Sequence, residues 1–250
     1  MTEVNLRMDE LLASLRSLRL PGMALALEQW VSEPKNAGRC SLECVAALIS
    51  GQQNVSAAVR TERFRRKAVL PDGLVIDSWQ PSEMRGLPPA RLRHLETLAW
   101  LDRCQNLVIT GPTRSGKTHL VCGLARRAVN QGRSVHFARV PELLTTLEQQ
   151  SAANRERTFR QLGRYDLVIL DDFALEPATA EATFLLWQVV DRRERWQRAT
   201  IVASPRAVDE WDDRFADPTI ASGIFGRLLM GAHEITLRPW SPKKAGLKSS

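Results

Sequence analysis

The sequence predicts an α/β chain in which a small helical domain precedes a five-stranded parallel sheet of the P-loop type. Three observations predict it. Residues 111–118 read Gly-Pro-Thr-Arg-Ser-Gly-Lys-Thr, a glycine loop set between an apolar run, Leu107–Ile109, and a helix-like stretch, His119–Ala125. From Asn106 onward short apolar segments alternate with helical ones, which is the pattern of a parallel sheet covered by helices on both faces. Residues 1–70 instead carry apolar residues at helical spacing.

Taken in order, Leu11, Leu12, Leu15 and Leu18 mark a first helix that a Leu20-Pro21-Gly22 break ends. A second helix runs from Met23 to Val31. A third begins near Ser41 with the stripe Cys44, Val45, Leu48 and Ile49, and a fourth carries Val55, Val59 and the basic residues that follow. Residues 71–89, punctuated by Pro71-Asp72-Gly73, Trp79-Gln80-Pro81 and Pro88-Pro89, read as a linker. A helix from Ala90 to Cys104 then leads into the strands Leu107–Thr110, Val135–Val140, Leu167–Asp171, Thr200–Ser204 and Glu234–Leu237. The expected division is a helical domain over 1–70, the linker, an ATPase domain over 90–240 and a basic tail over 241–250.

The chain of 250 residues is 44% hydrophobic and 25% charged, which places it among ordinary globular proteins. No apolar run reaches transmembrane length, and Asp9 and Glu10 argue against a signal peptide, so the expectation is a cytoplasmic protein with no membrane association. A formal charge of +7 favours an acidic partner, of which nucleic acid is the commonest; a basic protein without such a partner is the alternative. Of the four cysteines, Cys40 and Cys44 share a helix face but no second Cys/His pair follows at zinc-finger spacing, and Cys104 and Cys122 read as small core residues.

The glycine loop carries the chemistry. Its backbone N–H groups turn inward and the following helix adds partial positive charge, which together suit phosphate. The candidate cradle is Gly111, Pro112, Thr113, Arg114, Ser115, Gly116, Lys117 and Thr118, with His119 packed beside it. Lys117 reaches the β- and γ-phosphates of a nucleoside triphosphate, and the Thr118 hydroxyl binds Mg²⁺. The run Leu167–Asp172 ends a buried strand in two carboxylates. Asp171 is the candidate that holds Mg²⁺, a hard cation that prefers oxygen ligands, and Asp172 the candidate that polarises the attacking water. Phosphoryl transfer also needs positive charge at the γ-phosphate, often an arginine from a neighbouring subunit. Arg227, near the end of the helix that opens at Asp217-Pro218-Thr219, is the candidate catalytic arginine; a surface arginine is the other reading. Arg60, Arg63, Arg65, Arg66 and Lys67 form a basic run that grips DNA phosphates or forms a solvated face. Further clusters lie at Arg126-Arg127, over Arg155–Arg164 and over Arg192–Arg198.

The run Gly111–Leu120, the helical insertion between Val140 and Leu167, the segment from Trp211 through Asp217-Pro218-Thr219 to Arg227-Leu228, the pattern Leu15–Ala24 and the run Arg60–Ala68 together resemble the IstB-like helper ATPases of insertion sequences, in the IstB/DnaC-like branch of AAA+ ATPases. The resemblance covers almost the whole chain. It implies an AAA+ sheet without a C-terminal helical lid, ATP and Mg²⁺ as cofactors, assembly as a homo-oligomer on double-stranded DNA, and delivery of that DNA to a partner transposase. It gives Arg227 the place of the arginine finger. The chain departs from the family at two points: Arg114-Ser115 stands where Gly-Thr is usual, and Pro205 stands where a polar Asn or Gln senses the γ-phosphate. If that glycine position needs positive φ, Arg114 strains the loop. Pro205 offers no side-chain hydrogen bond, and Ser204 is the available substitute. Two alternatives follow: a DnaC-like helicase loader, and an ATP-binding scaffold that hydrolyses little.

Overall fold

The structure is a computed structural model that describes residues 2–239, with side chains from residue 7. The expected basic tail, 241–250, lies outside the described residues. Two compact units emerge, Met1–Arg63 and Phe64–Ser250.

The first unit holds α1 (Thr2–Ser17), α2 (Pro21–Ser32) and most of α3 (Ser41–Ala68). Leu12 and Ala24 are buried in it, and Arg16 pairs with Glu28 at 2.7 Å between α1 and α2. Pro21 opens α2, where its missing N–H costs nothing. The cap comes from a distance: Gln52 Oε1 of α3 accepts from the Gly22 and Met23 N–H groups at 2.9 and 3.3 Å.

The expected third and fourth helices are one continuous helix, α3. Gly51 lies mid-helix because α2 crosses there. A Cβ on Gly51 would stand 2.8 Å from the Gly22 carbonyl oxygen, and one on Gly22 would stand 2.5 Å from the Gln52 Cα. The glycines are there for backbone contact between the helices rather than for a turn.

The second unit is the sheet with its helices. Its elements are α4 (Pro89–Glu96), α5 (Ala99–Asp102), β1 (Leu107–Thr110), α6 (Lys117–Asn130), β2 (Val135–Arg139), α7 (Val140–Gln149), α8 (Ala152–Arg164), β3 (Leu167–Asp171), α9 (Ala180–Arg195), β4 (Ala199–Ser204), α10 (Pro218–Leu229) and β5 (His233–Thr236). The strands are ordered β2-β3-β4-β1-β5, and every pairing is parallel. The five expected strands are present, with no end shifted by more than one residue. Alternate residues face opposite layers: Leu107, Ile109, Ile169 and Ile201 join the α4–α6 core, while Val108, Val168, Leu170 and Val202 join that of α7–α10. Burial on both faces is why β1, β3 and β4 read as unbroken apolar runs.

Three expectations are corrected. The helix expected over Ala90–Cys104 is broken into α4 and α5 at Leu98, whose φ is +60° and whose side chain is buried beside Trp100. Cys104, read as a core residue, is exposed in the turn after α5, while Cys122 is buried. Residues 71–89, read as a linker, are packed: Ile76, Trp79 and Leu87 are buried in the α4–α6 core. The prolines and glycines there shape short 3₁₀ turns that fold back onto α6 rather than an extended tether.

Candidate nucleotide site

The loop 111–116 leaves the carboxyl end of β1, where the strand order changes direction and such sheets take ligands. Gly111 and Gly116 have φ of +142° and +89°, conformations that side-chain-bearing residues rarely adopt. Arg114 has φ +65° without being glycine. A side-chain-bearing residue in this left-handed region carries strain of order 1 kcal/mol, as expected for Arg114 if the position needs positive φ.

The loop fits a phosphate in its unpaired groups. Ser115 is fully buried and its hydroxyl has no hydrogen-bond partner among the described residues. Lys117, also buried, donates from Nζ to the Gly111 and Pro112 carbonyls at 2.7 and 3.0 Å, so its ammonium sits inside the loop. Burial pushes the Lys117 ammonium below the usual lysine range, opposed by the charges of Asp171 and Asp172. An entering phosphate would oppose it further.

Thr118 Oγ1 donates to Asp171 Oδ2 at 2.9 Å, which joins the loop to the end of β3 across the intervening strand β4. Asp171 is buried, and burial holds its carboxyl above the ordinary carboxylate range; the Thr118 hydrogen bond opposes this and the neighbouring Asp172 charge adds to it. A hydroxyl and a carboxylate side by side are the oxygen donors that suit Mg²⁺. Asp172 follows with φ +55°, its carboxylate partly exposed and 3.9 Å from Arg139 Nε. His119 lies beside the loop, its Nε2 2.8 Å from the Val75 carbonyl and 2.9 Å from Ser78 Oγ. The Val75 carbonyl can only accept, so the ring nitrogen facing it is the donor, and His119 ties the start of α6 to the 75–78 turn.

Ser204, the residue before Pro205, is buried and fully engaged. Its hydroxyl donates to the Phe173 carbonyl at 2.7 Å and accepts from Arg206 N and Trp211 Nε1, each at 3.1 Å. The Ser204 hydroxyl therefore has no proton left to offer a γ-phosphate.

Arg227 is at the opposite end of the sheet from the loop. Its carbonyl accepts from Asn106 Nδ2, just before β1 begins, and its guanidinium pairs with Asp191 at 3.1 Å and Glu194 at 2.8 Å. It does not meet the loop of its own chain. Arg60, Arg63, Arg65, Arg66 and Lys67 are exposed on the last turns of α3. Several residues of the later basic clusters are held by acids of the same chain: Arg155 by Glu181, Arg160 and Arg192 by Glu156, and Arg198 by Asp166.

Sequence reasoning missed three residues. Trp79 and Arg85 touch the loop from the segment read as a linker, where no periodicity marks them. Arg139 ends β2 in register with Asp171, a position that the strand end itself could have flagged.

Comparison with known proteins identifies the family. The family model for IstB-like ATP binding proteins matches residues 13–246. A putative insertion sequence ATP-binding protein of Sinorhizobium fredii is 33% identical over 90% of this chain and 92% of its own length. Among solved structures, DnaA from Aquifex aeolicus bound to AMPPCP superposes with a TM-score of 0.57 at 18% identity, over 68% of this chain and about half (51%) of that one. The DnaC helicase loader superposes with a TM-score of 0.53 at 15% identity, over 66% of this chain and 97% of its own. At such identities the structural likeness speaks to the AAA+ fold alone. The chain belongs to the family of IstB-like ATP binding proteins of insertion sequences.

Proposed function

We propose that this chain is a Mg²⁺-dependent ATPase that assembles on double-stranded DNA as a homo-oligomer and presents that DNA to a partner transposase. The observation that carries the ATPase reading is the Thr118–Asp171 hydrogen bond at 2.9 Å, which sets the loop hydroxyl against the acidic strand end with Lys117 beside them. Thr118 and Asp171 would hold Mg²⁺, which neutralises phosphate charge when bound. The loop N–H groups and Lys117 bind and orient the phosphates, and Asp172 orients the attacking water. Arg227, remote from its own loop and half-buried against Asp191 and Glu194, serves a neighbour's site once released from those carboxylates. The DNA reading rests on the net charge and on the exposed basic end of α3. Exposed apolar residues of the first unit, among them Leu25, Leu42 and Val59, support a protein partner there. The cytoplasm is the compartment where such a substrate and ATP meet.

One observation favours a second reading, an ATP-binding scaffold of low turnover: the Ser204 hydroxyl is used up structurally and Pro205 has no polar side chain. A single experiment separates the two. ATP turnover by the purified protein is measured with and without duplex DNA, alongside its assembly state on that DNA. DNA-stimulated turnover in an assembled species supports the first reading, and assembly without turnover supports the second. Lys117→Ala is expected to abolish both nucleotide binding and ATP-dependent assembly; undiminished nucleotide affinity in that variant removes the loop from the site.

A further inference from the structure

The segment 71–87 does more than pack on α6: it places two buried donors against the outside of the phosphate loop. We propose that Trp79 and Arg85 are positioning residues of the nucleotide site, holding the Ser115 and Gly116 peptide groups so that their N–H sides face a bound phosphate. The inference rests on the reading of residues 111–118 as the nucleotide cradle.

The geometry is specific. Arg85 Nη2 donates to the Ser115 carbonyl at 2.9 Å, and Trp79 Nε1 donates to the Gly116 carbonyl at 3.1 Å. A trans peptide is planar, with its C=O and N–H pointing in opposite directions. The peptide whose carbonyl faces Arg85 carries the Gly116 N–H, and the one whose carbonyl faces Trp79 carries the Lys117 N–H. Both N–H groups stand at the start of α6, where the first N–H groups have no intrahelical acceptor. The Gly116 carbonyl also accepts from the Leu120 N–H of α6 at 3.0 Å, and Trp79 adds a second donor to it. Holding the two carbonyls in place therefore holds two phosphate donors toward the inside of the loop before any ligand arrives, and lowers the cost of ordering them on binding.

The two donors are themselves built in. The Arg85 guanidinium lies 4.1 Å over the Trp79 ring, and its Nη1 donates to the Gln80 carbonyl at 2.6 Å. Arg85 ends a short turn capped by Ser82 and closed by Gly86 at φ +84°, and its own carbonyl accepts from Arg238 N at 3.0 Å beyond β5. Trp79 is 3% exposed and Arg85 8%. A Cβ on Gly116 would stand 2.7 Å from Arg85 Nη2 and 3.1 Å from Trp79 Nε1. The second glycine of the loop is thus fitted to this pair as well as to its left-handed backbone.

The test uses the full-length protein carrying Trp79→Phe, which removes one donor and keeps an aromatic ring, or Arg85→Met, which removes the guanidinium and keeps the chain. Binding of fluorescent ADP and of adenosine is measured for each, with amide hydrogen exchange over residues 113–118 in nucleotide-free protein. The expected result is that each variant binds ADP about fivefold more weakly, as for loss of one hydrogen bond. Adenosine binding stays unchanged, and exchange speeds up in the loop but not in the body of α6. Wild-type ADP affinity in Trp79→Phe, or a loss shared equally by adenosine, overturns the proposal. If Arg85→Met does not fold, Trp79→Phe decides the matter. If the wild-type protein itself binds no ADP, the cradle reading fails and this inference fails with it. Wild-type binding with unaffected variants removes the inference alone.

Discussion

The Trp211 indole donates from Nε1 to the Ser204 hydroxyl at 3.1 Å, and that hydroxyl spends its own proton on the Phe173 carbonyl. The end of β4 is therefore a structural node tying the segment after β3 to the residues before α10, with the Ser204 hydroxyl unable to donate to a γ-phosphate. Pro205 follows it. Replacing Pro205 with Asn returns a side-chain amide at the position where relatives of this fold are expected to carry one. Turnover is expected to rise severalfold with nucleotide affinity little changed. Ser204→Ala serves as the control: it strands the buried Trp211 N–H and costs about 1–3 kcal/mol of stability without raising turnover. Steady-state ATP hydrolysis beside thermal unfolding reads both, and an unchanged rate in Pro205→Asn means that the sensing position lies elsewhere.

Arg227 and Asp191 form the second telling pair. Asp191 is buried and is also held by Arg195 at 2.9 Å, so removing Arg227 leaves its carboxylate partnered. Arg227→Ala is therefore expected to fold, with a stability loss of order 1 kcal/mol. It is expected to bind ATP normally and to turn it over slowly. The decisive measurement mixes subunits. Arg227→Ala keeps an intact loop, and Asp172→Asn, which leaves Lys117 and the loop to bind nucleotide and assemble, keeps an intact arginine. If Arg227 acts on a neighbour, the mixture recovers turnover that neither variant shows alone; additive, inactive mixtures remove Arg227 from the site.

The strands were legible because both faces of β1, β3 and β4 are buried, which leaves apolar runs that need no partner to be read. The loop was legible because phosphate chemistry fixes residue types at fixed spacing. Trp79 and Arg85 were not, since their role is set by backbone carbonyls far along the chain. A carbonyl has no residue identity to pattern against. That the expected third and fourth helices are one was hidden for a related reason: a glycine that admits a neighbouring helix, as Gly51 does, looks the same in sequence as one that ends its own. Ser204 reads as a substitute sensor because sequence cannot show that Trp211 and Phe173 already occupy its hydroxyl.

The basic end of α3 gives a prediction in salt rather than in affinity alone. Arg63, Arg65 and Arg66 are exposed on the last two turns of the helix. If each neutralises a DNA phosphate, replacing all three with Gln lowers duplex affinity at low salt. It also flattens the plot of log K against log salt by up to about 2.7 units, near 0.9 for each phosphate left without its arginine. Binding titrations at several salt concentrations measure the slope directly. A parallel plot, shifted or not, makes this run a solvated face.

His136 gives the pH dependence. Its ring stacks on Tyr165 at 5.1 Å between centroids, and burial, with a smaller contribution from the Arg193 charge, holds its pKa below the ordinary 6.5. The unfolded chain protonates this histidine first as the pH drops, so acid favours unfolding. The contribution of His136 to stability is complete above about pH 6.5 and is lost as the pH falls from there toward the lowered folded-state value. The slope is at most about 1.4 kcal/mol per pH unit. Replacing His136 with Phe keeps an aromatic ring against Tyr165 and removes the titration. Chemical denaturation at about pH 7.5 and about pH 5.5, on either side of the ordinary histidine value, is expected to show a smaller loss of stability on acidification for His136→Phe than for the wild-type chain. Equal losses in the two proteins would mean that His136 takes up its proton as readily folded as unfolded, and that the half-buried stack on Tyr165 opens to water.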